Sequence, residues 1–194
     1  MVPKKPPSPD WDRLFEAAAR QEGLFTTQQA AGAGYSPQLL VHHLRGRRVS
    51  RVRRGIYRVV HFPAGENEDL VAIWLWSERA GVFSHQTALS LHQLSDVLPA
   101  QLHLTLPDAW RKRRFRVPRG VILHHADVGP GDRVWFGPVP ITSPRRTLID
   151  CAAAQLSPEL LGQAAQQALR RGLVSRSELS PLALALEPFG GLPA

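Results

Sequence analysis

RVSRVRRGIYRVV, Arg48 to Val60, alternates the apolar residues Val49, Val52 and Ile56 with arginine and puts Gly55 where two short strands would turn. The pattern predicts a β-hairpin. With the four residues before it, Leu44 to Arg47, the stretch holds seven arginines and no acid. Its setting decides what that charge is for.

Three helices are expected upstream. Trp11, Leu14, Phe15 and Ala18 recur at the i, i+3, i+4, i+7 spacing of one apolar face, in a helix that begins at Asp10 and ends at Gly23. Thr26 followed by Gln29 three residues on is a capping-box pattern, opening a short helix that the Gly32–Gly34 stretch stops. Ser36 as cap and Pro37 at the first helical position start a third helix, running to Arg45. Leu40 and Leu44 share one of its faces, and Gln38, His42 and Arg45 line the opposite one.

Three short helices with a glycine-containing turn before the third are the layout of a helix-turn-helix, and a hairpin after the third helix would be a wing. Gln pairs with adenine and Arg with guanine in the major groove, so the Gln38, His42, Arg45 row has the chemistry of a base reader. By periodicity alone it is equally a solvated polar face. The adjoining hairpin, carrying Arg51, Arg53, Arg54 and Arg58 without compensating acid, favours nucleic-acid binding.

The chain as a whole has 194 residues, a hydrophobic share of 43% and a charged share of 21%, which fits a globular protein of one large or two small domains. No apolar run approaches the ~20 residues that span a bilayer. The first ten residues, MVPKKPPSPD, lack an apolar segment and read as a flexible tail, so a cytoplasmic protein without membrane partners is expected. Cys151 is the single cysteine, which excludes an internal disulfide framework, and its apolar setting suits a buried structural thiol. Of the net charge of +8, the first 65 residues carry most, with eleven Lys/Arg against four Asp/Glu. Arginine outnumbers lysine 21 to 3, which suits bidentate contacts but also a GC-rich coding bias.

Pro63, Ala64 and Gly65 read as a linker, and Asn67, Glu68 and Asp69 as an acidic helix start. Leu70, Ile73, Trp74 and Trp76 follow in a helix, and Ser84 is taken as the cap of another, SHQTALSLHQL. Strands are expected at LHLTL, VILHHA, RVWFG and VPITS, and helices at Ser143-Pro144 and Ser157-Pro158. The expected organisation is therefore α+β. A tail spans residues 1–9, a winged helix 10–62, a small mixed α/β domain 68–186 and a second tail 187–194.

Chemistry is scarce in the second domain. His85 and His92 could share a helical face, and His103, His124 and His125 fall on strands, but no metal-binding spacing is present. Ser84 and His85, adjacent at a helix start, are not expected to face each other, and no nucleophile elbow exists. Asp127, Asp132 and Asp150 are isolated and no lysine follows Lys112, which disfavours a metal-dependent nuclease. No catalytic residue, metal or cofactor is expected. Two basic features remain: WRKRRFR, with Arg111, Lys112, Arg113, Arg114 and Arg116 interleaved with Trp110 and Phe115, and Arg145, which has no sequence-local partner. The first is either a phosphate-gripping surface or a charged loop. Arg146 and Asp150, four apart, are expected to pair.

The helix-turn-helix with its RRGIYRV wing, then FSHQTALSLHQL, LHLTLP, VILHHADV and PITSPRRTLIDCA in that order, resembles the AbiEi-type antitoxins of type IV toxin-antitoxin and abortive-infection systems. The resemblance implies a winged-helix domain that represses its own operon at inverted repeats in double-stranded DNA. It also implies a C-terminal, antitoxin-like domain that counteracts a nucleotidyltransferase-like toxin. Carried onto the matching elements, the DNA contacts would be Ser36, Gln38, His42 and Arg45 on the third helix and Arg51, Arg53, Arg54 and Arg58 on the wing, with Arg47 and Arg48 leading into it. The WRKRRFR residues and Arg145 stand as a possible antitoxin or second basic surface, on charge alone. The alternatives are an orphan winged-helix regulator without a toxin and a nucleic-acid-processing enzyme using His85, His124 or Asp127.

Overall fold

A computed structural model describes residues 8–96, 98–187 and Gly191. Most of the two expected tails lies outside these described residues. The chain divides into two compact units, the first reaching Arg79 and the second starting at Ala80. The division falls beyond the expected linker, because the helix that follows Asn67 packs on the strands of the first unit.

The first unit opens with α1 (Trp11–Ala19), whose N-cap Asp10 accepts from the Arg13 amide at 2.9 Å. β1 (Leu24–Thr26) comes next, a strand too short to carry a periodic pattern. Thr26 then caps α2 (Thr27–Gly32), its hydroxyl accepting from the Gln29 amide at 3.1 Å while the Gln29 side chain accepts from the Thr26 amide at 2.8 Å. Ser36 caps α3 (Pro37–Arg45), accepting from the Leu39 amide at 3.2 Å. β2 (Val49–Arg53) and β3 (Ile56–Val59) form the hairpin, and β3 pairs antiparallel with β1 as well, giving the order β1-β3-β2.

Pairing Phe25 with Tyr57 and Val49 with Val59 puts these four on one face. They join Leu14, Ala18, Ala30, Tyr35 and Leu40 in the core beneath the three helices. Val52, three residues after Val49, falls on the opposite face of β2 and is exposed at 37%, beside a bulge between Arg51 and Arg53. α4 (Glu68–Trp76) packs on β1 and β3.

The second unit holds a five-stranded sheet, β4 (Val82–Phe83), β5 (Leu102–Leu106), β6 (Val121–His125), β7 (Arg133–Phe136) and β8 (Val139–Thr142), in the order β6-β5-β4-β8-β7. β5 runs parallel to β6, and β4 parallel to β8; the other pairs are antiparallel. Its helices are α5 (His85–Leu91), α6 (Pro144–Ala153), α7 (Pro158–Arg170) and α8 (Ser180–Leu186). Ser143 and Ser157 cap α6 and α7 as their Ser-Pro starts foretell. Leu89, Leu148, Leu161, Leu179 and Leu182 share a core with Cys151, whose thiol burial pushes up to about 12. That is the inert structural thiol expected.

No helix among the described residues is long and apolar enough to cross a membrane.

Gly23, the hinge from α1 into β1, has a φ of 81°, and a Cβ there would sit 2.7 Å from Phe62. Gly23→Ala is therefore expected to destabilise the first unit by about 2 kcal/mol or more, from backbone strain and overpacking together, read by chemical denaturation.

Candidate nucleic-acid interface

α3 presents one exposed row. Gln38, His42 and Arg45 are all exposed, and Val41, 44% exposed, stands among them. The row thus offers an amide, an imidazole, a guanidinium and an isopropyl group, the last suited to a thymine methyl. The opposite side is held by Leu40 in the core and by His43, whose ring lies 6.1 Å from that of Trp11 and 5.5 Å from that of Tyr35. Burial first, then Arg48 and His42, pushes His43 below the ordinary histidine range, so it serves as a neutral packing ring. Ser36 is exposed, its hydroxyl already accepting the Leu39 amide.

After α3 the chain turns at Arg47, which holds a left-handed φ of 52° where helices usually place glycine. Its amide bonds Leu44 O at 3.2 Å and the Arg48 amide bonds His43 O at 3.0 Å, closing the helix end. Arg47 and Arg48 are exposed. In the hairpin Arg51 and Arg54 are exposed and Arg53 is half-buried; Arg51 Nε donates to Arg53 O at 3.4 Å. Among the described residues none of Arg45, Arg47, Arg48, Arg51, Arg53 and Arg54 pairs with a carboxylate. No acid occurs between Glu22 and Glu66.

Arg58 departs from this group. Its guanidinium lies 3.3 Å from the Glu68 carboxylate and donates to Phe62 O at 3.0 Å, with only 21% of the side chain exposed. It ties β3 to α4 and is not offered to a ligand. The partner lies ten residues on, in the segment that sequence reading assigned to another domain.

The second unit places the remaining basic residues. WRKRRFR follows β5, its Trp110 ending a turn of 3-10 helix (Asp108–Trp110) and the rest running on as a loop. Arg111 pairs with Asp108 at 2.6 Å and donates to His125 O at 3.1 Å. Arg113 lies 3.9 Å over the Trp110 ring and 5.1 Å from that of Phe115, while Lys112, Arg114 and Arg116 are exposed. Arg145, expected to lack a partner nearby in sequence, reaches Asp132 at 3.4 Å. Arg146 Nε donates to Asp150 at 2.8 Å as its spacing foretells, and also reaches Asp132 at 3.4 Å. Asp127 accepts the Asp108 amide at 3.2 Å.

Ser84 is not a cap. It is extended and fully buried, and its Oγ accepts from Thr105 Oγ1 at 2.7 Å and meets His85 Nδ1 at 2.9 Å. The two neighbours do face each other, and His85 holds a left-handed φ of 51°, at a cost of about 1 kcal/mol. The fold then gathers His85, His103 and His124, which no spacing in the sequence connects. Their rings stack nearly parallel, His85 on His124 with centroids 3.6 Å apart.

Residues 12–60 match the family described as "Transcriptional regulator, AbiEi antitoxin". The AbiEi-type match runs from the first turn of α1 to the residue after β3, and so takes in α3 and the whole hairpin. The resemblance read from the sequence is shown over these residues. Among solved structures the chain is similar to "Crystal structure of RV2827C protein from Mycobacterium tuberculosis", with a TM-score of 0.43 and 15% identity over 96% of this chain and 80% of that one. No curated protein matches the chain.

Burial is the first cause lowering His85 to about 3, ahead of His124, His103 and Arg146, and it is the first cause lowering His92, His103 and His124 too. The unfolded chain, at an ordinary value of about 6.5, takes up these protons first, so the stability of this unit is full above that pH. It is lost as the pH falls below, for His85 down to about 3. Urea unfolding of the full chain should show a weaker second unit at about pH 5 than at pH 7.5. His92→Gln, removing a ring that bonds Thr142 O at 2.7 Å and has Arg171 as its charged neighbour, should make that dependence shallower.

Proposed function

We propose that the chain is a sequence-specific DNA-binding autorepressor, reading operator bases with Gln38, Val41, His42 and Arg45 and gripping backbone phosphates with Arg47, Arg48, Arg51, Arg53 and Arg54. The observation that carries this reading is the uncompensated charge beside the exposed row of α3. Six arginines without a carboxylate partner repel one another, and a phosphate backbone is the polyanion that relieves them at a helix-turn-helix. Arginine suits the role since its fork is matched to phosphate and to guanine alike. Ser36 is a further phosphate donor at the start of α3, on resemblance alone.

The match over residues 12–60 to an antitoxin family supports a second part of the proposal, that the protein counteracts a nucleotidyltransferase-like toxin. The surface we assign to that role is the exposed Lys112, Arg114 and Arg116 of the loop in which Arg113 lies over the Trp110 and Phe115 rings. Binding of DNA by the first unit does not depend on this second role. A toxin-like reading frame beside the gene, and rescue of growth when both are expressed, would support it; toxicity unaffected by this chain would end it.

DNA binding should weaken steeply with salt, with a logarithmic slope of about 0.9 per phosphate contact. Replacing Arg51 and Arg54 with alanine should lower that slope and weaken operator and random duplex alike; an unchanged slope removes the wing from the interface. Gln38→Ala and Arg45→Ala should instead erode discrimination, by roughly 1–3 kcal/mol per good base contact. Arg58→Ala serves as the contrast, costing about 1–2 kcal/mol of fold stability through Glu68 with the slope kept. Arg47→Gly separates the same two effects. It should leave stability unchanged or raise it by up to about 1 kcal/mol, while weakening binding to DNA.

A further inference from the structure

Among the eight histidines of the chain, three meet in the second unit from three different elements: His85 at the start of α5, His103 on β5 and His124 on β6. We propose that His85, His103 and His124 bind one Zn2+ ion, each through one ring nitrogen. A nitrogen of each ring lies within 4.8 Å of the other two. His103 Nδ1 and His124 Nε2 share a hydrogen bond at 3.0 Å, near the roughly 3.3 Å edge of a tetrahedron with Zn–N bonds of about 2.0–2.1 Å, and an ion would take the place of the shared proton. His85 stacks parallel on His124, so its ring must tilt out of the stack, pivoting on its Nδ1 contact with Ser84, for the lone pairs to converge.

The surroundings are those of a ligand set and not of an ordinary apolar stack. With its proton on Nδ1, His85 donates to Ser84 Oγ, itself fixed by Thr105, and this leaves Nε2 free to bind; oriented ligands of this kind are the usual support of a zinc site. Asp150 Oδ2 is buried without a hydrogen-bond partner, and its carboxylate acts on His124. Arg146, the nearby cation, is already paired with Asp150 and Asp132.

Neutral imidazole favours zinc and its neighbours over magnesium or calcium, and three histidines leave a fourth position open to solvent or substrate. His103 and His124 are only half-buried, so an ion can enter. An ion there would clamp the start of α5 to the β5–β6 pair, making the second unit metal-responsive.

The test titrates chelator-stripped full-length protein with ZnCl2, by calorimetry and by thermal melting. One equivalent should bind, and the melting temperature should climb with the logarithm of zinc concentration. His103→Gln and His124→Gln should each lower the affinity at least tenfold and abolish the thermal shift, while His42→Ala and His61→Ala, outside the cluster, leave both. Ser84→Ala should weaken binding by roughly ten- to a hundredfold as a positioning residue. If a glutamine variant fails to fold, Co2+ added to the wild-type chain decides, since four-coordinate cobalt gives intense visible bands. Absence of those bands, no saturable zinc binding, or equal binding by a folded His124→Gln chain would overturn the proposal and leave the rings as packing.

Discussion

The geometry of the first unit depends on β3 being hydrogen-bonded along both edges. β1 on one side carries the chain from α1 into α2, and β2 on the other receives it from α3. The loop between β2 and β3 is closed onto this frame: the Thr27 amide and hydroxyl both donate to Gly55 O, at 2.9 and 3.2 Å. A two-stranded ribbon alone is marginal in water. The third strand converts the arginine-bearing hairpin into a fixed neighbour of α3, and the core of Phe25, Tyr57, Val49 and Leu40 sets the spacing between them. Shape and charge of the interface therefore rest on a strand of three residues.

That strand is also what sequence reading passed over. Helix starts are encoded within three or four residues, and so Asp10, Thr26 with Gln29, Ser36 with Pro37, Ser143 and Ser157 are legible and hold in the structure. Encounters across the fold are not encoded that way. Val52 looked like a core partner of Val49 but lies an odd number of residues from it and so faces out, and Arg58 looked like one more wing arginine until Glu68 claimed it. Ser84 carried the composition of a cap but spends its hydroxyl on Thr105 and His85. The three-histidine cluster needs the parallel register of β5 and β6, which pairs Thr105 with His124 and His103 with Ile122, before its members are neighbours at all.

Electrostatics divides the arginines into two kinds. Arg58, Arg111, Arg145 and Arg146 have carboxylate partners and fasten elements together. Those of α3, the following turn and the hairpin face solvent without such partners, and one of them, Arg47, occupies a backbone conformation that glycine would hold more easily. Stability alone explains neither the unrelieved repulsion nor the strained arginine. The proposed DNA ligand would account for both, and the AbiEi-type match over residues 12–60 is consistent with that proposal.

The most direct measurement is amide hydrogen exchange of the full chain, with and without a duplex taken from upstream of its own reading frame. The account predicts new protection concentrated at the start of α3 and through residues 47–54, with residues 111–116 unchanged. Protection centred on residues 111–116, with α3 and the hairpin exchanging as before, would contradict it.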